Sequence, residues 1–176
     1  MNQRGYLNMD EKTENYWRIL EANLEWIRYS DAKATGILTI YGVLITVAFT
    51  KILDILEIIS TSWMLIALTA LSGISSLVAI YFGFRSISPR LLTPDHRSII
   101  YFGSIVKHSD DLQSFRQYSH EVLDSPRGLD DDLAAQIYIN ARIASLKFKN
   151  VSSSIRYFIA SFLTLLSEMV LFLLLH

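Results

Sequence analysis

The chain contains no cysteine, which excludes disulfides and thiolate metal sites without choosing a compartment. Only three prolines occur in 176 residues, at positions 89, 94 and 126, so no proline breaks a helix before residue 89 or after residue 126. Enzyme signatures are also missing: there is no GxxxxGKS or GxxxxGKT, no GxGxxG, no HExxH and no GxSxG. No strand-rich segment is present either, which argues against a built-in nucleotide-binding domain of the βα kind. The net charge is −1, and without a basic excess to collect phosphates a nucleic-acid partner is not expected.

What the chain does have is apolar residues gathered into three blocks, Ala34 to Thr50, Trp63 to Phe84 and Tyr157 to Leu175. Each is close to the ~20 residues that cross hydrocarbon as a helix. The first is short, but Lys51 can snorkel and Ile52 and Leu53 continue it. A soluble bundle with buried helices is the alternative, and the Trp63 to Phe84 block opposes it because no face of that block carries a charge. Of sixteen Lys and Arg, five precede the first block, Lys51 alone lies between the first and second, and ten lie from Arg85 to Arg156. The positive-inside bias then puts the N-terminus and residues 85–156 in the cytoplasm, and the Ile52 to Ser62 loop and His176 outside. The late first block, followed by two more, is not a signal peptide.

The fold expected is an all-α membrane protein with three transmembrane helices, the first and last extended into a cytoplasmic helical stalk, plus a short helical loop region. The divisions are a cytoplasmic arm at 11–35, spans at 36–53, 63–84 and 157–175, a cytoplasmic loop with short helices at 85–129, and a second arm at 130–155, all in one domain. Met1 to Asp10 reads as irregular, with a helix beginning near Asp10 or Glu11. On the first arm Trp17, Leu20, Leu24 and Ile27 recur at steps of three and four and form a stripe that needs covering. Residues 17–33 rise about 25 Å at 1.5 Å each. Ser72, Gly73, Ser75 and Ser76 suggest a packing face on the second span, against a merely compositional scatter. Pro89 and Pro94 prevent a long helix after it. Ser98 to Val106 is an apolar run too short to span, lying on the membrane surface or on the stalk. Ser109 is expected to cap a surface helix with Asp110 and Asp111 in its first turn and Leu112, Phe115 and Val122 inward. Ser125 to Gly128 is a turn. The last helix starts at Asp130, Asp131 and Asp132, one of them its cap, and carries a stripe of Leu133, Ile137, Asn140, Ala144, Lys147 and Val151.

Glu168 is the one charge deep inside an apolar block, and such a carboxylate marks a functional site by default. It would line a pore, as a ring in an oligomer, or sit near the outer interface, or hydrogen-bond to a nearby Ser or Thr. Asp31 and Lys33 end the first arm while Lys147 and Lys149 approach the membrane on the last, so a carboxylate and an ammonium can meet there or stay solvated. Gln136 and Asn140 interrupt the last arm's stripe, either as buried amides that set register or as a solvated edge. His96, His108 and His120 do not have ligand spacing, and the aspartate run lacks nearby ligands, so no metal site is expected. Asn150-Val151-Ser152 matches a glycosylation sequon on the side where glycosylation does not occur.

WRILEANLEWIRYSDAKATGIL near the N-terminus resembles the tryptophan-containing arm and DxKA juxtamembrane motif of the transmembrane effector domain of Pycsar antiphage systems. Tyr101-Phe102-Gly103-Ser104-Ile105 and DLAAQIYINARIASLK from Asp132 to Lys147 resemble its mid-loop segment and its later helix. The resemblance runs from Trp17 to the last span. It implies a non-enzymatic effector of the bacterial inner membrane that permeabilises that membrane when a cyclic nucleotide or related signal is made during infection, an abortive defence with a pore and a homo-oligomer in view. No cofactor is expected beyond that ligand. Family members often carry a separate nucleotide-sensing domain for which this chain has no room, which places detection in the cytoplasmic helices, in a separate protein or at an oligomer interface. Trp17, Asp31, Lys33, Gln136, Asn140 and Lys147 would transmit the signal, and Glu168 would lie on the conduction path. The rivals are a membrane scaffold that recruits a soluble partner and a membrane-embedded enzyme using Glu168 with a histidine.

Overall fold

The computed structural model describes residues 3–60, 62–89, 97–125 and 127–175. Pro94, His96, Pro126 and His176, on which expectations were placed, lie outside them. The described chain is all helical: α1 Gln3–Thr50, α2 Ile52–Ile59, α3 Trp63–Ile87, α4 Phe102–His108, α5 Leu112–Asp124 and α6 Gly128–Leu175. Three of them, α1, α3 and α6, are long and apolar enough to cross a membrane. The contacts divide into two units, Met1–Arg28 with Pro89–Ser145, and Tyr29–Ser88 with Leu146–His176.

Helix α1 runs forty-eight residues without proline, starting at Gln3 rather than near Asp10, since Gly5 and Asn8 weaken a helix without ending it. Its covered positions include Thr13, Tyr16, Leu20, Asn23, Ile27, Ser30, Ala34, Ile37 and Tyr41, in alternating steps of three and four, with the half-buried Asp31 and Leu38 beside that row. That is the 3.5-residue period of helices packed along their length. The expected stripe is corrected by it: Trp17 and Leu24 are exposed, 41% and 37%, while Tyr16 and Asn23 turn inward. An apolar count overlooks a seam that includes polar residues. On α6 the expected stripe is the covered one, with Leu133, Asn140, Ala144, Lys147 and Val151 buried and Ile137 half-buried.

In the first unit Asp130 takes a hydrogen bond from Thr13 Oγ1 at 2.7 Å and an ion pair from Lys12 Nζ at 3.0 Å. Asp132 accepts the Ile99 N–H at 2.8 Å, and Tyr118 Oη donates to the Arg97 carbonyl at 2.7 Å. None of the three aspartates caps α6, which begins two residues before Asp130; Asp130 and Asp131 lie in its first turn, where their charge suits the helix dipole. Gly128 is required there by close approach, because a Cβ would fall 2.3 Å from the Val122 carbonyl oxygen. The cap of α5 is Asp111 rather than Ser109: its carboxylate accepts the Ser114 N–H at 2.7 Å and Ser114 Oγ answers the Asp111 N–H. These bonds hold the Asp111 carboxyl below its ordinary value. Leu112, now ahead of the covered face, is exposed, and Phe115 and Val122 are half-buried. The apolar run from Ser98 becomes a bend in which Ser98 Oγ accepts the N–H groups of Ile100 and Tyr101, followed by α4.

In the second unit the expected loop from Ile52 is helical, as α2, packed on α3. A short apolar segment between two spans satisfies its backbone best by coiling.

Candidate functional site

Helices that meet in lipid gain nothing from hiding apolar surface from one another, so close approach and hydrogen bonds decide the packing. The second unit follows that rule. The buried residues of α3 are Leu65, Ser72, Ser75, Ala79, Gly83 and Ser86, nearly all small. Of the four small residues marked in the sequence, Ser72 and Ser75 are buried and Ser76 shares a 2.8 Å hydrogen bond with Ser161 of α6, while Gly73 faces outward. A Cβ on Gly83 would stand 3.1 Å from Leu38 Cδ2 of α1 and 3.5 Å from Ser154 Oγ of α6. Three helices therefore converge on one glycine.

One turn further along α3 lies the charged centre. Lys147 is 4% exposed, and its ammonium donates to Asp31 Oδ1 at 2.5 Å and to the Ser86 carbonyl at 2.8 Å. Ser86 Oγ donates to the Lys147 carbonyl at 3.3 Å and lies 3.4 Å from Ser30 Oγ. Asn150 Nδ2 reaches the Arg85 carbonyl at 3.3 Å. The last carbonyls of a helix lack intrahelical donors and carry the negative end of its dipole. Lys147 and Asn150 satisfy two such carbonyls of α3, and Asp31 neutralises the cation. The arrangement ties the start of the apolar part of α1, the end of α3 and the middle of α6 to one ammonium group.

Of the residues singled out in the sequence, the structure brings Asp31 and Lys147 together in this way. Lys149 is exposed, and Lys33, also exposed, sits 4.2 Å from the centre of the Tyr29 ring. In the other unit Gln136 and Asn140 are buried and joined, Gln136 Nε2 donating to Asn140 Oδ1 at 3.2 Å. Trp17 is exposed. Glu168 is half-buried, and the Thr69 hydroxyl of α3 lies within hydrogen-bond reach of both its Oε1 and the Leu65 carbonyl, with one hydrogen to share between them. His108 Nδ1 lies 3.0 Å from the Ser104 carbonyl and His120 is exposed. Among the described residues no group of three or more His, Cys, Asp or Glu is placed to hold a metal.

Sequence reasoning missed Ser30, Ser86 and Asn150, whose only signal is their place in the three-and-four spacing. It also missed the Lys12–Asp130 pair. There the Thr13 hydrogen bond first, and Lys12 after it, hold the Asp130 carboxyl below its ordinary value, while Asp130 raises that of Lys12. The first unit has a cleft of about 330 Å³ lined by Arg97, Tyr118, Val122, Asp131, Asp132 and Ala135 among others. The Arg97 guanidinium covers the Tyr118 ring at 4.0 Å there and donates to Ser109 Oγ at 3.3 Å, while its Nε is buried without a partner among the described residues.

Compared with known families, residues 15–176 match the Pycsar effector protein domain. No curated protein and no solved structure matches the chain.

Proposed function

Because the chain belongs to the Pycsar effector family, whose domain covers all but its first fourteen residues, we propose that it is an antiphage effector that permeabilises the bacterial inner membrane when a cyclic nucleotide or related signal is produced. The N-terminal arm and residues 85–156 then face the cytoplasm, as the distribution of Lys and Arg favours. The signal acts on the cytoplasmic helices, directly or through a sensing protein, and copies of the chain associate in the membrane. The chain works by rearranging its spans, not by turnover. The observation that carries this reading is the buried Lys147, held by Asp31 of α1 and the Ser86 carbonyl of α3 where polar sequence gives way to apolar. A shift of α6 against either neighbour strands that ammonium, so the packing at this level has few intermediate arrangements. Glu168 lies on the path that opens.

The test is membrane potential in intact cells that co-express the chain with a nucleotide cyclase, followed with a potential-sensitive dye. Depolarisation that requires both proteins supports the proposal. Unchanged potential and dye exclusion, with the protein present in the membrane fraction, overturn it. A scaffold that recruits a soluble partner is the second reading, favoured by the exposed Trp17, Trp26 and Tyr138. It predicts stoichiometric copurification with that partner and no depolarisation.

A further inference from the structure

Polar side chains in the second unit are placed in order along its seam. From the charged centre outward come Ser30, Ser86 and Lys147, then Ser154, whose hydroxyl donates to the Ala79 carbonyl at 2.8 Å. Next come the Ser76–Ser161 pair and finally Thr69 with Glu168. Ser86 to Thr69 is seventeen residues of α3, about 26 Å of rise, against a hydrocarbon core of about 30 Å.

The order breaks at one level. There Ile37, Tyr41 and Ala79 form a buried apolar cluster with Ile80, Ile155 and Phe158. Tyr41 is 3% exposed, its ring meets Phe158 edge-on with centroids 5.6 Å apart, and its hydroxyl has no hydrogen-bond partner among the described residues. Burying such a hydroxyl is unfavourable. Phenylalanine would pack the same ring without that penalty, so the oxygen needs another reason to be there. On the outward faces Val43, Val47, Ile74, Leu77, Phe162 and Leu163 are exposed and apolar, and the exposed hydroxyls of Thr39, Thr46 and Ser167 each donate to a carbonyl of their own helix, toward no neighbouring rung.

We propose that the seam within a single chain is a proton path, that the Ile37–Ala79 cluster is its dry gate, and that the Tyr41 hydroxyl is the rung bridging the two hydroxyl sets once water enters. The proposal rests on the membrane-acting reading above and names what crosses. Lys147, Ser154, Ser161 and Glu168 stand seven residues apart on α6, about 10 Å of rise, so water bridges successive rungs, and each water or hydroxyl oxygen along the row accepts a hydrogen from one neighbour and passes its own to the next. One proton enters beside Asp31 and Lys147, one leaves at Glu168, and no group is altered by the passage. Compensating charge moves elsewhere across the bilayer. A relay of this width excludes dyes and hydrated ions.

The experiment uses the full chain in phosphatidylcholine–phosphatidylglycerol vesicles, loaded with a pH-sensitive dye for proton flux or with calcein for general leakage. Potassium is equal on both sides, with valinomycin to carry compensating charge. Ile37→Ser, and independently Ala79→Ser, wet the gate without any signal. Each is expected to raise the rate of internal pH change at least tenfold over the unaltered chain while calcein is retained. Adding Tyr41→Phe to either is expected to return the rate to that of the unaltered chain. Calcein escaping with the protons overturns the proposal, as does a double variant as leaky as its parent. Absence of flux in both gate variants, with helicity by circular dichroism and elution unchanged, overturns it too. If signalled cells depolarise while those vesicles stay tight, the seam is not the path and the membrane-acting reading survives. If signalled cells keep their potential, that reading fails regardless of the vesicles.

Discussion

The Lys147 ammonium stands 2.5 Å from Asp31 Oδ1, yet the two side chains differ in surroundings, 5% exposed for the lysine and 35% for the aspartate. Removing either partner therefore leaves the other in a different position. Without Asp31 a cation stays buried with the Ser86 carbonyl as its partner, whereas without Lys147 the aspartate can still meet water.

Asp31→Ala should for that reason destabilise more than Lys147→Met. Stranding the buried ammonium costs on the order of 3 kcal/mol. Lys147→Met chiefly leaves the Ser86 carbonyl unpaired, at about 1–2 kcal/mol. The double variant Asp31→Ala/Lys147→Met should be more stable than Asp31→Ala alone. Thermal unfolding in detergent, read by circular dichroism, checks the ranking, and equal losses for the two single variants would refute it.

Acid should release a contact in the first unit. The Asp130 carboxyl, held low first by Thr13 and then by Lys12, loses on protonation the ion pair with Lys12 and the charge that strengthens the Thr13 hydrogen bond. A group depressed on folding contributes stability that is fully present above its ordinary value, here 3.8, and is lost as pH falls through the lower folded value. Unfolding temperature should be insensitive to this group between about pH 5 and 7 and drop below about 3.8, and Asp130→Asn should flatten that drop. At pH 7 the same variant should cost about 1 kcal/mol, the lost charge-assisted hydrogen bonding. Lys12, raised by Asp130, acts with opposite sign, its share present below 10.5 and lost only at higher pH.

Gln136 and Asn140 satisfy each other in a buried position, so their energetics should be strongly non-additive. Gln136→Leu or Asn140→Leu alone leaves a buried amide unpaired, at roughly 1–3 kcal/mol. Replacing both should be near neutral in stability, because the two unsatisfied groups disappear together. The amides would then matter for register, which crosslinking of cysteines introduced at Thr13 and Asp130 can follow. Additive losses in the double variant would show that the amides bond elsewhere.

The three spans were legible because an apolar block of about twenty residues with at most one charge has few other uses. The stripe of α6 was legible because its seam is mostly apolar, with Leu133, Ala144 and Val151 setting the phase. That of α1 was not, since Trp17 and Leu24 outweigh Tyr16 and Asn23 on any hydrophobic count, although the latter pair face inward. Ser30 and Ser86 gave no signal at all, serine being equally at home on a surface. The contact of Asp31 with Lys147 could be anticipated from charges brought to the same boundary, but that of Glu168 with Thr69 depends on the register of α3 against α6, which composition does not contain. The cap of α5 was misplaced by two residues for the same reason: Ser109, Asp110 and Asp111 stand together and backbone geometry chose among them, while α6 starts ahead of its aspartate run altogether.

Gly83 offers the sharpest test of how closely the three spans must approach. A methyl added there would press on Leu38 at Cδ2, 3.1 Å away, and at Cγ, 3.2 Å away, both in a side chain that can swing about its first torsion, and only touch Ser154 Oγ at 3.5 Å. Gly83→Ala should therefore be accommodated by a turn of Leu38, with a change in stability under about 1 kcal/mol and response to the signal retained. Gly83→Val adds two further carbons that Leu38 cannot clear, and the expected overpacking is about 1–3 kcal/mol with loss of the Ser154 hydrogen bond to the Ala79 carbonyl. Leu38→Ala should rescue Gly83→Val, because it vacates the volume that the valine needs while leaving α6 untouched. Unfolding temperatures of the four proteins, together with depolarisation in signalled cells, give the comparison. Full tolerance of Gly83→Val without the second change would mean that α1 and α3 are not held in this contact in the membrane.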